Sequence, residues 1–357
     1  MVVPALRYTW AAAILLLTCA LDAPRAGADP FPEKPVKIVI PYPISGPTDI
    51  RGTTRITKTY KLIALNAPPA ISDTLARLAG QAIGAASRHS VVLERQPGGV
   101  TTRGAKAVAR ARPDGYTLLL ASNATMVINP HYFQGVEYEP VRDFVLVAPL
   151  AAMPFVLLAG SGVPVDTASR LVQWLKVRPG EVNYGSSGDG SVGHLAGELF
   201  RRATGVNIVH VSYNGGIAAL SGLATEQISL VFAALPLALP YVPAGQFRAL
   251  GITSRQRFAL LPALPTLVET GLPELEVEAW FGLFGPARMP PSAAAWLNEQ
   301  VAAQIADNGT RMQLLALGLD PAAGTRSQFA TRIHSETERW APVLRASRMP
   351  LKEGRDG

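Results

Sequence analysis

The chain has 357 residues, 48% of them hydrophobic and only 17% charged, which excludes a disordered chain and suffices to bury a large core in two domains or one large α/β unit. Its formal charge of +7 comes from scattered Lys and Arg, not from a basic stripe interleaved with aromatics, so nucleic acid is not expected as a partner. The one cysteine, Cys19, falls in an N-terminal leader, so the remainder offers no disulfide, thiol nucleophile or thiolate metal ligand.

That leader comes first in chain order. Arg7, an apolar stretch over 10–21 and the small-x-small sequence Ala26-Gly27-Ala28 form the pattern of a secretory signal, too short to span a bilayer comfortably. Residues 1–28 are expected to be removed, leaving a mature chain that starts near Asp29 with a formal charge of about +6. A lipid anchor on Cys19 is disfavoured by the Thr18 that precedes it. Export also argues against a nucleic-acid partner.

Short apolar runs then alternate with amphipathic ones. "VKIVIPY" (36–42), "SVVLER" (90–95) and "YTLLLAS" (116–122) are predicted strands, with helices over 73–86 and 102–111 between them. This β-α-β-α-β order implies a parallel sheet with helices on its faces. The middle repeats the scheme. "FVLVAPL" and "FVLLAG" are predicted as two strands before a helix over 167–177, and "VNYGSS" (182–187) precedes a helix over 193–203. "IVHVSY" (208–213), "ISLVFAAL" (228–235) and "RALGITS" (248–254) complete the series, with a helix of small residues to about 224. After the Pro-rich stretch 261–273, helices are predicted over 292–306, 311–317 and 327–346, a tail covering a sheet already built. Two α/β halves suggest a cleft between two lobes, with ligands at the carboxyl ends of strands where the next helices begin.

The sharpest local signal is "NYGSSGDGSVGHLAGELF" (183–200). Gly188, Gly190 and Gly193 satisfy G-x-G-x-x-G between a strand and a helix, but the acidic residue a dinucleotide site needs about twenty positions later is missing. No cofactor is expected. A more general chemistry needs only backbone: Ser186, Ser187, Gly190 and Ser191 offer hydroxyls and open N–H groups where a helix starts, and that end carries partial positive charge. A carboxylate is expected to bind there without Lys or Arg, and His194 in the first turn is either a further donor to it or a local capping or packing residue. His194 and Glu198 share a helical face, but no third ligand is evident in sequence, so no metal is expected. No G-x-S-x-G elbow, Walker lysine or H-E-x-x-H sequence occurs, and Asp49, Asp73, Asp114 and Asp189 are read as turn or capping residues.

"KPVKIVIPYPISGPTD", "RPDGYTLLLASNATMVINPHYF", "VNYGSSGDGSVGHLAGELF", "VHVSYNGG", "GITSRQRFALLPALPTLVETGLP" and "EAWFGLFGPARMP", in this order, resemble the tripartite tricarboxylate transporter substrate-binding proteins, the Bug or TctC-like family. The resemblance spans nearly the whole mature chain. It implies an α/β, two-lobed periplasmic binding protein, type II-like, that closes on a small carboxylated solute without turning it over and delivers it to membrane permease subunits, acting as a monomer. Lobe 1 is then expected over 29–126 and 252–357, with an insertion near 50–70, and lobe 2 over 127–251. By the same resemblance the first lobe grips the ligand through Ser45, Gly46, Thr48 and Asp49 and through Ser122, Asn123 and Thr125; the second adds Tyr213 to the loop at 186–194. Rival readings of the same cleft are an enzyme acting on a carboxylated substrate and a periplasmic receptor for a membrane signalling protein.

One departure falls at the ligand site. The family runs from a Pro-aromatic turn to an Asp and directly into a Leu-Ala-Arg helix, whereas here Pro41 to Asp49 supply the turn and Asp73-Thr74-Leu75-Ala76-Arg77 the helix, 24 positions later. Such an insertion costs little closure entropy, since each doubling of a loop adds only about 0.6 kcal/mol. Either copy of the turn is a candidate to face the ligand.

Overall fold

The computed structural model describes residues 31–42, 71–322, 325–346 and 349–350. The expected leader and the stretch holding Ser45, Gly46, Thr48 and Asp49 lie outside the described residues. Among the described residues no helix is long and apolar enough to cross a membrane.

In the first half, strand β1 (Val36–Ile40) leads to helix α1 (Ile71–Ser87), β2 (Val91–Arg95), α2 (Thr102–Ala109) and β3 (Thr117–Ser122). A π-helical turn (Ala124–Ile128), α3 (Asn129–Tyr132), β4 (Phe133–Gln134) and α4 (Pro140–Asp143) then bring the chain to β5 (Phe144–Ala159). In the second half, α5 (Ala168–Lys176), β6 (Asn183–Ser186), α6 (Val192–Thr204), β7 (Val209–Ser212), α7 (Gly216–Ala224), β8 (Leu230–Ala234), α8 (Leu235–Ala238) and β9 (Arg248–Ile252) follow. The chain then supplies β10 (Glu278–Pro286), α9 (Pro291–Ala306), α10 (Asn308–Ala316), β11 (Asp320–Pro321), α11 (Arg326–Ala346) and β12 (Met349–Pro350).

The two halves repeat one strand order. The first runs β2-β1-β3-β10-β5, with β1 parallel to β2 and β3, and β10 antiparallel to both β3 and β5. The second runs β7-β6-β8-β5-β9, with β6 parallel to β7 and β8, and β5 antiparallel to both β8 and β9. Each half therefore holds four strands that run one way and one reversed strand, β10 or β5, that arrives from the other half. Residues 144–154 of β5 pair with β10, and residues 155–159 with β8 and β9. The chain crosses back where the Val277 N–H donates to the Thr253 carbonyl at 3.0 Å, just before β10 begins.

Two expectations are corrected here. "FVLVAPL" and "FVLLAG" form one sixteen-residue strand, not two, and the sheet is mixed, not parallel. The C-terminal third is not only a helical cover: "EAWFGLFGP" is β10, which fills the middle of the first sheet with Trp280 fully buried.

Side chains alternate as a two-residue period requires. Val36, Ile38 and Ile40 of β1 face α1 and α9, packing on Leu75, Ile83, Leu297 and Val301, while Val39 joins a second core with Val108 of α2 and Trp340 of α11. In the second half Leu230 and Phe232 of β8 meet Phe200 of α6, and Val231 and Ala233 meet Leu220 and Leu223 of α7. The core under α2, α11, α5 and α6 is continuous between the halves, and it sets where the strand ends of each half meet.

Candidate functional site

The carboxyl ends of β1 and β3 form the first wall. The Tyr42 hydroxyl donates to Ser122 Oγ at 2.8 Å, and burial pushes the Tyr42 phenol up, so it stays a neutral donor. Asn123 is buried, and its Nδ2 donates to the Glu278 carbonyl at 2.9 Å, tying the end of β3 to the crossing into β10. Thr125 is completely buried. Its hydroxyl lies 2.9 Å from Thr101 Oγ1 and its carbonyl accepts the Tyr138 hydroxyl at 2.6 Å. Of the first-lobe residues expected to grip a ligand, Ser122, Asn123 and Thr125 are thus brought together but are engaged in internal bonds. Ser45, Gly46, Thr48 and Asp49 lie outside the described residues. Asp73, in the second copy of the turn, sits in the first turn of α1 and forms an ion pair with Arg95 at the end of β2.

The second wall is the turn from β6 into α6. Ser186 is fully buried; its Oγ donates to the Gly188 carbonyl at 3.0 Å, accepts the Gly188 N–H at 3.2 Å and lies 2.8 Å from His210 Nε2. Ser187 is exposed, and its carbonyl accepts the Gly215 N–H at 3.3 Å. Gly190 takes a left-handed φ of 73°, and a Cβ there would lie 2.9 Å from the Tyr132 ring of the first half, so only glycine lets the two halves approach at this point. Ser191 caps α6, its Oγ accepting the His194 N–H at 3.3 Å.

The glycine motif finds its explanation in packing. A Cβ at Gly193 would lie 2.7 Å from the Phe232 carbonyl and one at Gly197 2.0 Å from the Tyr184 ring, so these positions let α6 lie directly on β6 and β8. The helix N-terminus is thereby held at the strand ends. Tyr213 is placed differently from the rest of its set. Its hydroxyl lies 2.4 Å from where a Gly222 Cβ would sit, and its ring packs with the core under α7.

His194 stacks face to face on His210, centroids 4.0 Å apart and planes 12° from parallel. His194 Nδ1 accepts the Gly190 N–H at 3.1 Å, and Asp189 Oδ1 lies 3.6 Å from His210 Nδ1. Burial holds the His194 imidazolium below its ordinary range, and burial together with the facing His194 takes His210 down to about 4, so both rings are neutral near pH 7. The reason given in the sequence for excluding a metal, that no third ligand accompanies His194 and Glu198, does not hold in the fold. Glu198 is engaged by the Tyr184 hydroxyl at 3.0 Å and by Arg201 at 2.9 Å, whereas Asp189 and His210 come to His194 from a loop and from β7. His210 escaped notice because parallel pairing of β7 with β6, Tyr184 against His210, is what delivers it. The one available signal was a histidine within an otherwise apolar strand.

A cavity of about 300 Å³ opens between the walls, lined by Asn123, Val192, Leu195, Glu278, Arg332 and Arg339 among others. The charged residues come from β10 and α11, elements not connected with the cleft in sequence. Arg332 bridges Glu278 and Glu336 at 2.9 Å each, and burial raises the Glu278 carboxyl despite that partner.

These features can be set beside known proteins. Protein BugT of Bordetella pertussis is 29% identical over 340 residues, covering 95% of this chain and 97% of that protein. Among solved structures, R. palustris Rpa4515 with adipate matches at a TM-score of 0.70 and 29% identity, over 89% of this chain and 98% of that one. MatC (Rpa3494) from Rhodopseudomonas palustris with bound malate matches at 0.67 and 28%, over 88% and 100%. The pattern of the tripartite tricarboxylate transporter family receptor matches residues 75–349. With the repeated strand order and the facing strand ends, this places the chain in that family: it is a two-lobed α/β solute-binding protein of the tripartite tricarboxylate transporters.

Proposed function

We propose that the chain is a periplasmic receptor that closes on a small carboxylate, releases it unchanged to membrane permease subunits, and works as a monomer after removal of residues 1–28. The observation that carries this reading is the stretch 186–194, which sets exposed Ser187, the Val192 and Gly193 backbone N–H groups of the first turn of α6 and a neutral histidine together and contains no Lys or Arg. An oxyanion is stabilised there by the helix end and by uncharged donors. The adipate and malate found in the two R. palustris relatives support the ligand class.

Ser187, Ser191 and His194 supply the second-lobe donors in this reading, with Gly190 orienting His194 through its N–H, Ser186 bracing the turn and Tyr213 shaping its far side. Ser122 and Asn123 face them, Thr125 supports both from beneath, and Ser45, Gly46, Thr48 and Asp49 complete the first-lobe grip. The lobes, expected over 29–126 with 252–357 and over 127–251, hinge in this proposal where the chain crosses between sheets, within β5 at Pro154 and Phe155 and between Thr253 and Glu278. Residues 127–154 then move with the first lobe.

Thermal-shift screening of the mature chain against mono-, di- and tricarboxylates tests the reading. A carboxylate at a hundred times its Kd adds about 2.7 kcal/mol of stability. A chain that responds to none of the panel, both intact and with residues 51–70 deleted, contradicts it, and a response by the deletion variant alone assigns the insertion an inhibitory effect on the site.

A further inference from the structure

We propose that Asp189, His194 and His210 form a binding site for a divalent transition-metal ion of the zinc type at the mouth of the loop between β6 and α6. One ring nitrogen of each histidine and a carboxylate oxygen of Asp189 lie within 4.8 Å of one another. The hydrogen bonds around them decide which nitrogens carry protons.

With the Ser186 hydroxyl donating to the Gly188 carbonyl, His210 Nε2 is able to donate to Ser186 Oγ at 2.8 Å, and this is the tautomer that a metal on Nδ1 requires. Its Nδ1 is then a bare lone pair, and this is the nitrogen 3.6 Å from Asp189 Oδ1. On His194 the Gly190 N–H points at Nδ1, so that nitrogen is unprotonated too. In that tautomer the Asp189 carboxylate faces the His210 Nδ1 lone pair, an arrangement that a cation between them makes attractive.

The surroundings match what a metal ligand needs. A ligating histidine ordinarily donates its other ring N–H to an oxygen that fixes its tautomer, and Ser186 Oγ stands 2.8 Å from His210 Nε2, in place to accept it. Two imidazoles and one carboxylate select zinc, nickel or copper over magnesium or calcium, and three protein ligands leave one position for water or an anion. Donors at 2.0–2.2 Å from one ion lie closer together than 4.8 Å, so closure draws them in by roughly 1 Å and tilts His194 off its stack. Asp189, half exposed at the loop tip, has room to make that move.

Calorimetric titration of the tag-free mature chain, stripped with a chelator and free of carboxylate buffer, tests this with zinc, nickel and magnesium chlorides. One site for zinc and nickel and none for magnesium is expected. D189N, an exposed change that leaves packing intact, should weaken zinc about tenfold or more, S186A should weaken it about 10- to 100-fold as an outer-shell change, and H210Q should abolish it. Circular dichroism checks that each variant is folded. Absence of zinc heat, or zinc affinity unchanged in both D189N and H210Q, overturns the site. Carboxylate screening with the chelator present reads the ligand proposal separately, so failure of one is distinguishable from failure of the other.

Discussion

The two walls of the cleft are built from similar residues but arranged differently. At the end of β3, Ser122, Asn123 and Thr125 are buried and bonded to Tyr42, Glu278 and Thr101. At the end of β6 the chain turns through glycines with left-handed φ into a thirteen-residue helix, leaving Ser187 exposed and the Val192 and Gly193 N–H groups of the first turn facing outward from the helix start. The first wall is therefore a rigid backing, and the second carries the positive end of a helix. A loop of hydroxyls is a site only when its donors remain unpaired, which depends on the turn and not on residue type.

Four substitutions sharpen or break this contrast. G197L drives a side chain into the buried Tyr184 ring and lifts α6 from β6; it should destabilise the chain by roughly 3 kcal/mol in urea unfolding and remove the carboxylate response. T125V, in the rigid wall, leaves Thr101 with one partner fewer and should cost about 1–2 kcal/mol while the carboxylate Kd stays put. If T125V instead changed affinity at unchanged stability, the first wall would be a direct grip. S191A removes the cap of α6 and a hydroxyl beside the proposed anion; about 1 kcal/mol of stability and about a tenfold loss in calorimetric affinity are expected.

The smallest effect concerns Glu198. Burial works against its charge, but Arg201 and the Tyr184 hydroxyl hold the carboxyl below its ordinary range. A folded value below the unfolded one means stability that is present above the unfolded carboxyl range and is lost as pH falls through the folded value. E198Q should therefore be less stable than the parent by about 1 kcal/mol at pH 7, a gap that closes below about pH 4. A gap that stays constant down to pH 3 would show that Glu198 acts by packing alone.

The parallel strands and their helices were legible because each carries its own periodicity: Leu75, Leu78, Ala79, Ala82 and Ile83 form the buried face of α1 without help from elsewhere. The reversed strands were not. In β5, Pro149 and Pro154 read as breaks, yet the pairing with β10 slips register beside Pro149, between Phe281 and Gly282, and Pro154 falls where the strand passes from one sheet to the other. β10 hides because its glycines and terminal proline resemble turn residues, and what makes it a strand is burial between β3 and β5, distant in sequence. The same distance explains the site. The helix-end loop could be read locally, whereas His210 and the Arg332 bridge depend on register and on where α11 lies.

The central claim is that a carboxylate is held by uncharged donors at the start of α6 and not by the guanidinium groups of Arg332 and Arg339 in the adjoining cavity. Amide NMR of the labelled mature chain, titrated with the carboxylate that gives the largest thermal shift, measures this directly. The amides of Val192 and Gly193 are predicted to move downfield together and saturate at the calorimetric Kd. Saturating shifts confined to the Arg332 and Arg339 side chains, with those two amides unmoved, would contradict it.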